Sequence, residues 1–288
     1  MTLLVDAKVT KQERIAPSHY RLSLLVPEIA AEARPGQFLQ VRCGSTLDPF
    51  LRRPISIHAV DRKKGVVAIL YRVAGRGTAL LAEKIRGNQV SLLGPLGKGF
   101  SMPENQARVS VVSGGIGVAP LYFLLAELAE SSISADVFLG AATADQLFLA
   151  KEITGLGHRV YTATDDGSTG YHGLVTELFV EIMTHTDPPK PHLKGQEGLL
   201  NDPFESIIDN NRYAMIYGCG PGGMLRRLTE IVRAAGIPGE ISLEERMGCG
   251  VGACLSCVCK TSTSEESIQY SRVCTEGPVF PAVEVVWS

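Results

Sequence analysis

Five of the seven cysteines fall between Cys249 and Cys274, and four of them read C-x4-C-x2-C-x16-C as Cys249, Cys254, Cys257 and Cys274. No other feature constrains the chain as tightly, because four thiolates brought to one centre force the last segment to fold around that centre. Disulfides are rare in a reducing compartment, so dense local cysteines point first to a metal or cluster. The first three positions have the plant-type [2Fe–2S] spacing, whose fourth ligand comes from further along the chain. Gly248, Gly250, Gly252, Ala253 and Ser256 are small enough to let a loop wrap closely and leave peptide N–H groups free to reach sulfur. Two other readings stay open at this point. A zinc site ordinarily pairs two C-x2-C knuckles, and here there is one. Buried free thiols are the blander reading. Cys259, two residues past Cys257, is expected to be a non-ligand.

With 288 residues the chain suits two domains, or two and a small appendage. A formal net charge of -2 offers no basic surplus for a polyanion, so nucleic acid is not an expected partner. The first residues carry no basic stretch before an apolar one, and no apolar run reaches the about 18 residues of a membrane helix. The expectation is a cytoplasmic protein without a membrane contact.

The first hundred residues read as short, partly alternating strands: Ala7 to Thr10, Tyr20 to Leu25, Gln37 to Val41, Ile55 to His58 and Val66 to Tyr71. A short helix follows Thr78. This texture predicts a small β-barrel. After Phe100 it changes. Strands at Arg108 to Val112, Asp136 to Gly140, Arg159 to Ala163 and Tyr213 to Tyr217 alternate with helical periodicity, which predicts an open parallel sheet with helices on both faces. Residues 185 to 208, rich in proline and polar residues, read as an inserted loop. The last residues, Val283 to Trp287, read as a closing strand.

Three further motifs carry chemistry. Arg52-Arg53-Pro54-Ile55-Ser56 opens a barrel strand, where a guanidinium can clamp a pyrophosphate and a serine can meet a flavin ring. An arginine pair is more often a solvated surface. Gly75-Arg76-Gly77-Thr78 opens a helix and offers a second phosphate position, or a plain turn and cap. Gly114-Gly115-Ile116-Gly117 follows a strand and precedes a helix, the context that lifts a glycine-rich match above a tight βα turn, although the full G-x-G-x-x-G spacing is missing. Cys219-Gly220-Pro221 ends a later strand at the same sheet edge, where ligands of such sheets bind.

In this order the motifs resemble the ferredoxin-NADP reductase superfamily. More closely, nearly the whole chain is similar to the electron-transfer subunits of dihydroorotate dehydrogenase B. The stretches that carry the likeness are Leu51 to Ile57, Gly94 to Phe100, Glu245 to Cys254 and Arg272 to Phe280. The resemblance implies an FAD-binding β-barrel over residues 1–101, an NAD-binding α/β domain over 102–240 and a [2Fe–2S] domain over 241–288. It implies that Arg53, Pro54, Ile55, Ser56, Leu70, Tyr71, Arg72, Gly77 and Thr78 hold FAD. Gly114, Gly115, Gly117, Gly220 and Pro221 would line the NAD site, with Cys219 assisting hydride transfer. Cys249, Cys254, Cys257 and Cys274 would hold the cluster. Ile55 departs from an aromatic that many superfamily members place there, Gly223 from a proline common in this branch, and the 185–208 insertion is long for it.

The resemblance also implies a partner: an FMN-containing dihydroorotate dehydrogenase subunit with a (β/α)8 barrel, in a heterotetramer of two of each chain. Electrons would pass from dihydroorotate through [2Fe–2S] and FAD to NAD+. The rival within the superfamily is the flavin subunit of an NADPH-linked ferredoxin oxidoreductase or sulfide dehydrogenase, which often has Asp where this chain has Cys249. A rival of another class is a binding protein with a degenerate cofactor fold. Gly140 to Asp145 contains no Arg or Lys, and Asp165-Asp166 follows the next strand, so NAD is expected over NADP.

Overall fold

The computed structural model describes residues 2–103, 108–184, 213–262 and 267–287; the predicted 185–208 insertion lies outside them. Six antiparallel strands form a closed barrel: β1 (Leu3–Ala16), β2 (His19–Leu25), β3 (Phe38–Val41), β4 (Arg53–Asp61), β5 (Val66–Arg72) and β6 (Gln89–Leu96), in the order β1-β2-β5-β4-β3-β6. Alternation fills the inside with Val9, Leu22, Leu24, Leu39, Ile57, Ile69 and Leu92, all buried. The reading of the sequence finds five of these strands and misses β6. Gly94-Pro95 there looks like a breaker, but it sits in a bulge: Phe38 pairs with Leu96 and Gln40 with Leu93, so β6 has one residue too many at the proline. Helix α1 (Pro27–Glu32) closes one barrel end with Ile29 and Ala30, and α2 (Arg76–Ala82) follows β5.

The second core is a sheet of β7 (Val109–Gly114), β8 (Ala135–Ala141), β9 (Arg159–Thr164), β10 (Tyr171–His172), β11 (Met215–Cys219) and β12 (Gly239–Ser242), all parallel. Helices α3 (Val118–Glu130) and α4 (Ala150–Gly155) pack on one face; α5 (Val175–Thr184) and α6 (Gly222–Ala235) pack on the other. The order β10-β9-β8-β7-β11-β12 reverses direction between β7 and β11, so the crevice at a topological switch point lies beyond Gly114 and Cys219. The expected domain boundary at 240/241 falls inside β12.

The last segment makes a hairpin of β13 (Val258–Ser262) and β14 (Ile268–Arg272), then returns to the sheet as β15 (Val279–Pro281), antiparallel to β12. The expected closing strand Val283 to Trp287 is corrected. A 3-10 turn takes Ala282–Glu284, Val285 makes a single bridge to Thr261, and the Trp287 indole N–H donates to Thr229 Oγ1 on α6 at 3.1 Å. The apolar run is spent on covering a helix, and burial alone does not distinguish that from a strand.

Barrel and sheet are fastened directly. Arg21 makes a two-pronged ion pair with Glu152 at 2.7 and 3.0 Å, the His58 Nδ1–H donates to Ala119 O at 3.0 Å, and Phe100 meets Tyr217 edge-on. β4 and β5 are thereby held against α3 and the turn that leads into it from β7.

Candidate functional site

Cys249, Cys254 and Cys257 lie on the loop between β12 and β13, and Cys274 on the turn after β14. The hairpin brings the two ends together: Val258 pairs with Arg272, and Val273 N donates to Cys257 O at 2.9 Å. Peptide N–H groups fan around the sulfurs. Those of Val251, Ala253 and Cys254 point at Cys249 Sγ at 3.3–3.4 Å, and that of Gly252 at Cys274 Sγ at 3.2 Å. Gly250 and Gly252 have φ of +74° and +80°, a conformation that a side chain would strain and that lets the loop wrap tightly. Ser256 Oγ lies 3.2 Å from Cys254 Sγ; it and the backbone donors draw that exposed thiol down to about 6. Donors converging on sulfur are what a cluster of thiolates and sulfides requires, so the loop fits a [2Fe–2S] group. Among the described residues no three His, Cys, Asp or Glu side chains converge on a single ion. Cys259 stands apart. It faces Ser271 across the hairpin, and burial pushes its thiol up to about 11.

The flavin candidates divide by face. The Arg53 guanidinium lies over Gly77, where a side chain would come within 3.0 Å of its Nε, so the two positions form one cradle. Arg53 Nη1 donates to Leu51 O at 2.7 Å, and the Thr78 hydroxyl is committed to holding the turn at Ala74 and Gly75. Beside the cradle opens a pocket of about 400 Å³, lined by Cys43, Ser45, Thr46, Asp48, Arg76 and Lys84. Arg52 is occupied elsewhere, bonded to Gln40 O and to Ser91. Pro54, Ser56 and Leu70 fall on the outer barrel face. Ile55 and Tyr71 belong to the barrel core, and the Tyr71 hydroxyl accepts from Gln12 Nε2 at 3.1 Å. Only the backbone of these two faces outward, so an aliphatic residue at 55 serves the barrel interior. Arg72 ends β5 near Glu244.

The two glycine segments of the sheet meet through their backbones. Ser113 pairs with Cys219, a side chain at Gly117 would lie 2.3 Å from Cys219 O, and one at Gly220 would lie 2.9 Å from Gly114 N. Pro221 packs on Gly114, while Gly115 (φ +54°) stays open. Cys219 is 1% exposed, and burial pushes its thiol far above the usual range, with the charge of Glu244 adding to that. Its register partner on β12 is Ser242. Glu244 is exposed at the surface but within electrostatic reach of Cys219 and Arg72; partial desolvation raises its carboxyl and Arg72 lowers it. Glu244 and Gln40 on β3 carry no signal in the sequence. Neither belongs to a motif; only the strand register places them.

Comparison with known proteins adds the family. Residues 244–286 match the family described as the iron-sulfur cluster binding domain of dihydroorotate dehydrogenase B. The chain is 45% identical to the electron transfer subunit of dihydroorotate dehydrogenase B (NAD(+)) from Desulforamulus reducens, over 100% of both chains. It is 42% identical to the protein of that name from Geobacillus thermodenitrificans, over 96% of each. Among solved structures it is similar to an NADH-dependent reduced ferredoxin-NADP oxidoreductase, with a TM-score of 0.78, 26% identity and coverage of 98% of this chain and 90% of that one. The ferredoxin reductase of carbazole 1,9a-dioxygenase shares the fold at a TM-score of 0.62 and 19% identity, over 82% of this chain and 67% of that one. At such identity over its full length, the chain belongs to the family of dihydroorotate dehydrogenase B electron-transfer subunits.

Proposed function

We propose that this chain relays electrons from a dihydroorotate-oxidising, FMN-containing catalytic subunit to NAD+, in a cytoplasmic assembly of two copies of each chain. Bound FAD supplies the exchange between single electrons and a hydride pair, and the [2Fe–2S] cluster supplies the one-electron relay. The protein's part is position and environment.

One observation carries the reading: the three candidate sites face one junction. The cluster loop rests on the outer face of β3, where Gly250 lies against Gln40. Gln40 pairs with Pro54 and Phe38 with Ser56, so the flavin segment is the next strand, about 4.8 Å away, on the same face. Leu70 of β5 shares a core with Cys219, so the sheet edge adjoins the same barrel strands. Arg53 and Gly77 bind a pyrophosphate there, the adjacent pocket takes the rest of the dinucleotide, and Ser56, Leu70 and Arg72 meet the flavin ring. The backbone of Gly114 to Gly117 and Gly220 orients nicotinamide, and the neutral Cys219 thiol packs against it. No described helix is long and apolar enough to cross a membrane.

The test is reconstitution. Purified anaerobically, the chain should carry one FAD and two irons and reduce artificial acceptors with NADH. Dihydroorotate-dependent NAD+ reduction should appear only with the catalytic subunit, at the mass of a heterotetramer by light scattering. Flavin without iron overturns the relay.

A further inference from the structure

Gln40 sits at 0% exposure, and neither its Oε1 nor its Nε2 has a hydrogen-bond partner among the described residues. A buried polar atom left unpaired forfeits its hydrogen bond to water and is strongly disfavoured. Its register partners are Pro54 on β4 and Leu93 on β6, which offer no side-chain polar group. An apolar side chain of the same size would suit these neighbours better, so the carboxamide needs a partner that arrives with a cofactor.

The geometry says from which side. A side chain built on Gly250 would lie 2.6 Å from Gln40 Cγ and 2.7 Å from its Nε2. Gly250 directly follows Cys249, so the amide is pressed against the residue next to a candidate ligand. We propose that the Gln40 Nε2–H donates a hydrogen bond to an inorganic sulfide of the [2Fe–2S] cluster, a partner that arrives only with that group. This rests on the cluster reading above. Thiolates and sulfides only accept, so the amide nitrogen must face them. A hydrogen bond to cluster sulfur favours the more negative reduced state and raises the potential. Gln40 is thus a positioning residue between cluster and flavin strand, acting on the driving force of electron transfer between them.

The experiment compares wild type with Gln40→Met, which keeps the volume and removes the donor. With iron and FAD at full occupancy, the cluster's reduction equilibrium constant should fall about tenfold, or 59 mV for a one-electron couple, while the flavin potential stays put. In wild-type protein carrying glutamine labelled with 15N at the side-chain amide, the reduced cluster should show a weak 15N hyperfine coupling by pulsed EPR, absent in the variant. An unmoved cluster potential in an iron-replete variant overturns the proposal. If the variant loses iron, the wild-type coupling decides alone: its presence supports the proposal and its absence overturns it. A wild-type protein without iron overturns the relay reading and this inference with it; an intact wild-type cluster with no coupling overturns this inference only.

Discussion

The loop proposed for the cluster and the sheet edge proposed for nicotinamide each present a cysteine and treat it in opposite ways. Cys254 is exposed, and Ser256, the peptide N–H groups and Cys249 bring its thiol down to about 6. Cys219 is buried at the end of a parallel strand, where desolvation and the nearby Glu244 carboxylate hold the proton on sulfur. The first surrounding prepares a thiolate, the form that ligates iron; the second preserves a thiol, uncharged and unreactive. A loop and a strand end of one chain thus assign different chemistry to the same side chain, through burial and the number of donors aimed at sulfur.

The widest separation is expected among the C-terminal cysteines themselves. Cys274→Ala should abolish the cluster, read as loss of iron and of the reduced-state EPR signal, and with it electron transfer to the partner. NADH diaphorase activity should survive in part, because the Arg53–Gly77 cradle and the sheet edge lie elsewhere. Cys259→Ala should keep iron and signal, since its side chain packs against the hydrophobic core. The reverse pattern would break the ligand set.

At the nicotinamide edge the next effect is dinucleotide choice. Neither Ile133 to Leu149 nor Thr164 to Thr184 contains Lys or Arg. Asp165 and Asp166 stand where β9 ends, hydrogen-bonded through their N–H groups to Ala141 and Ala142. A 2′-phosphate there meets like charge, at several kcal/mol, so NADH should exceed NADPH roughly a hundredfold in kcat/KM. Equal efficiency would mean that the phosphate finds a partner elsewhere. A smaller effect is expected for Cys219→Ser. Iron and flavin stay full, while reduction of FAD by NADH slows roughly tenfold through misplacement at the sheet edge. Loss of iron in that variant would erase the distinction between the two cysteines.

The same contrast explains what the sequence disclosed. The proposed cluster ligands lie within one segment, so their spacing and the small residues between them spell out the loop before any fold is known. The residues proposed for flavin and nicotinamide come from β4, β5, α2, β7, β11 and the turns that follow β7 and β11. Their motifs are weak singly, and only the resemblance assembled them. Side-chain direction was beyond reach: Ile55 and Tyr71 read as equals of Ser56 and Leu70, yet strand alternation turns them into the barrel core. Glu244 and Gln40 left no local signal, because what marks them is a neighbour far away in sequence. The hidden strand β6 failed for a related reason, its Gly94-Pro95 being a bulge that only pairing reveals.

The smallest effect tests the burial rule on a group that titrates within reach. His58 lies at 0% exposure between barrel and sheet, donates from Nδ1 to Ala119 O, and leaves Nε2 without a partner among the described residues. Burial lowers its pKa from 6.5 to about 4, with Arg21 acting the same way and Ala119 O and Glu152 opposing. The depressed value means that the unfolded chain binds the proton more readily. Stability is therefore whole above pH 6.5 and is lost as pH falls from there towards 4. Between pH 7.5 and 6 the loss from this group is about 1 kcal/mol, or a fall of roughly 2 to 4 °C in Tm. His58→Gln keeps a donor towards Ala119 O and cannot titrate, so its Tm should fall less over the same interval by that amount. Measured as holoprotein by differential scanning calorimetry, an identical pH slope in both proteins would show that the barrel–sheet joint does not hold His58 neutral. Burial would then be too weak a term to account for the contrast between Cys219 and Cys254.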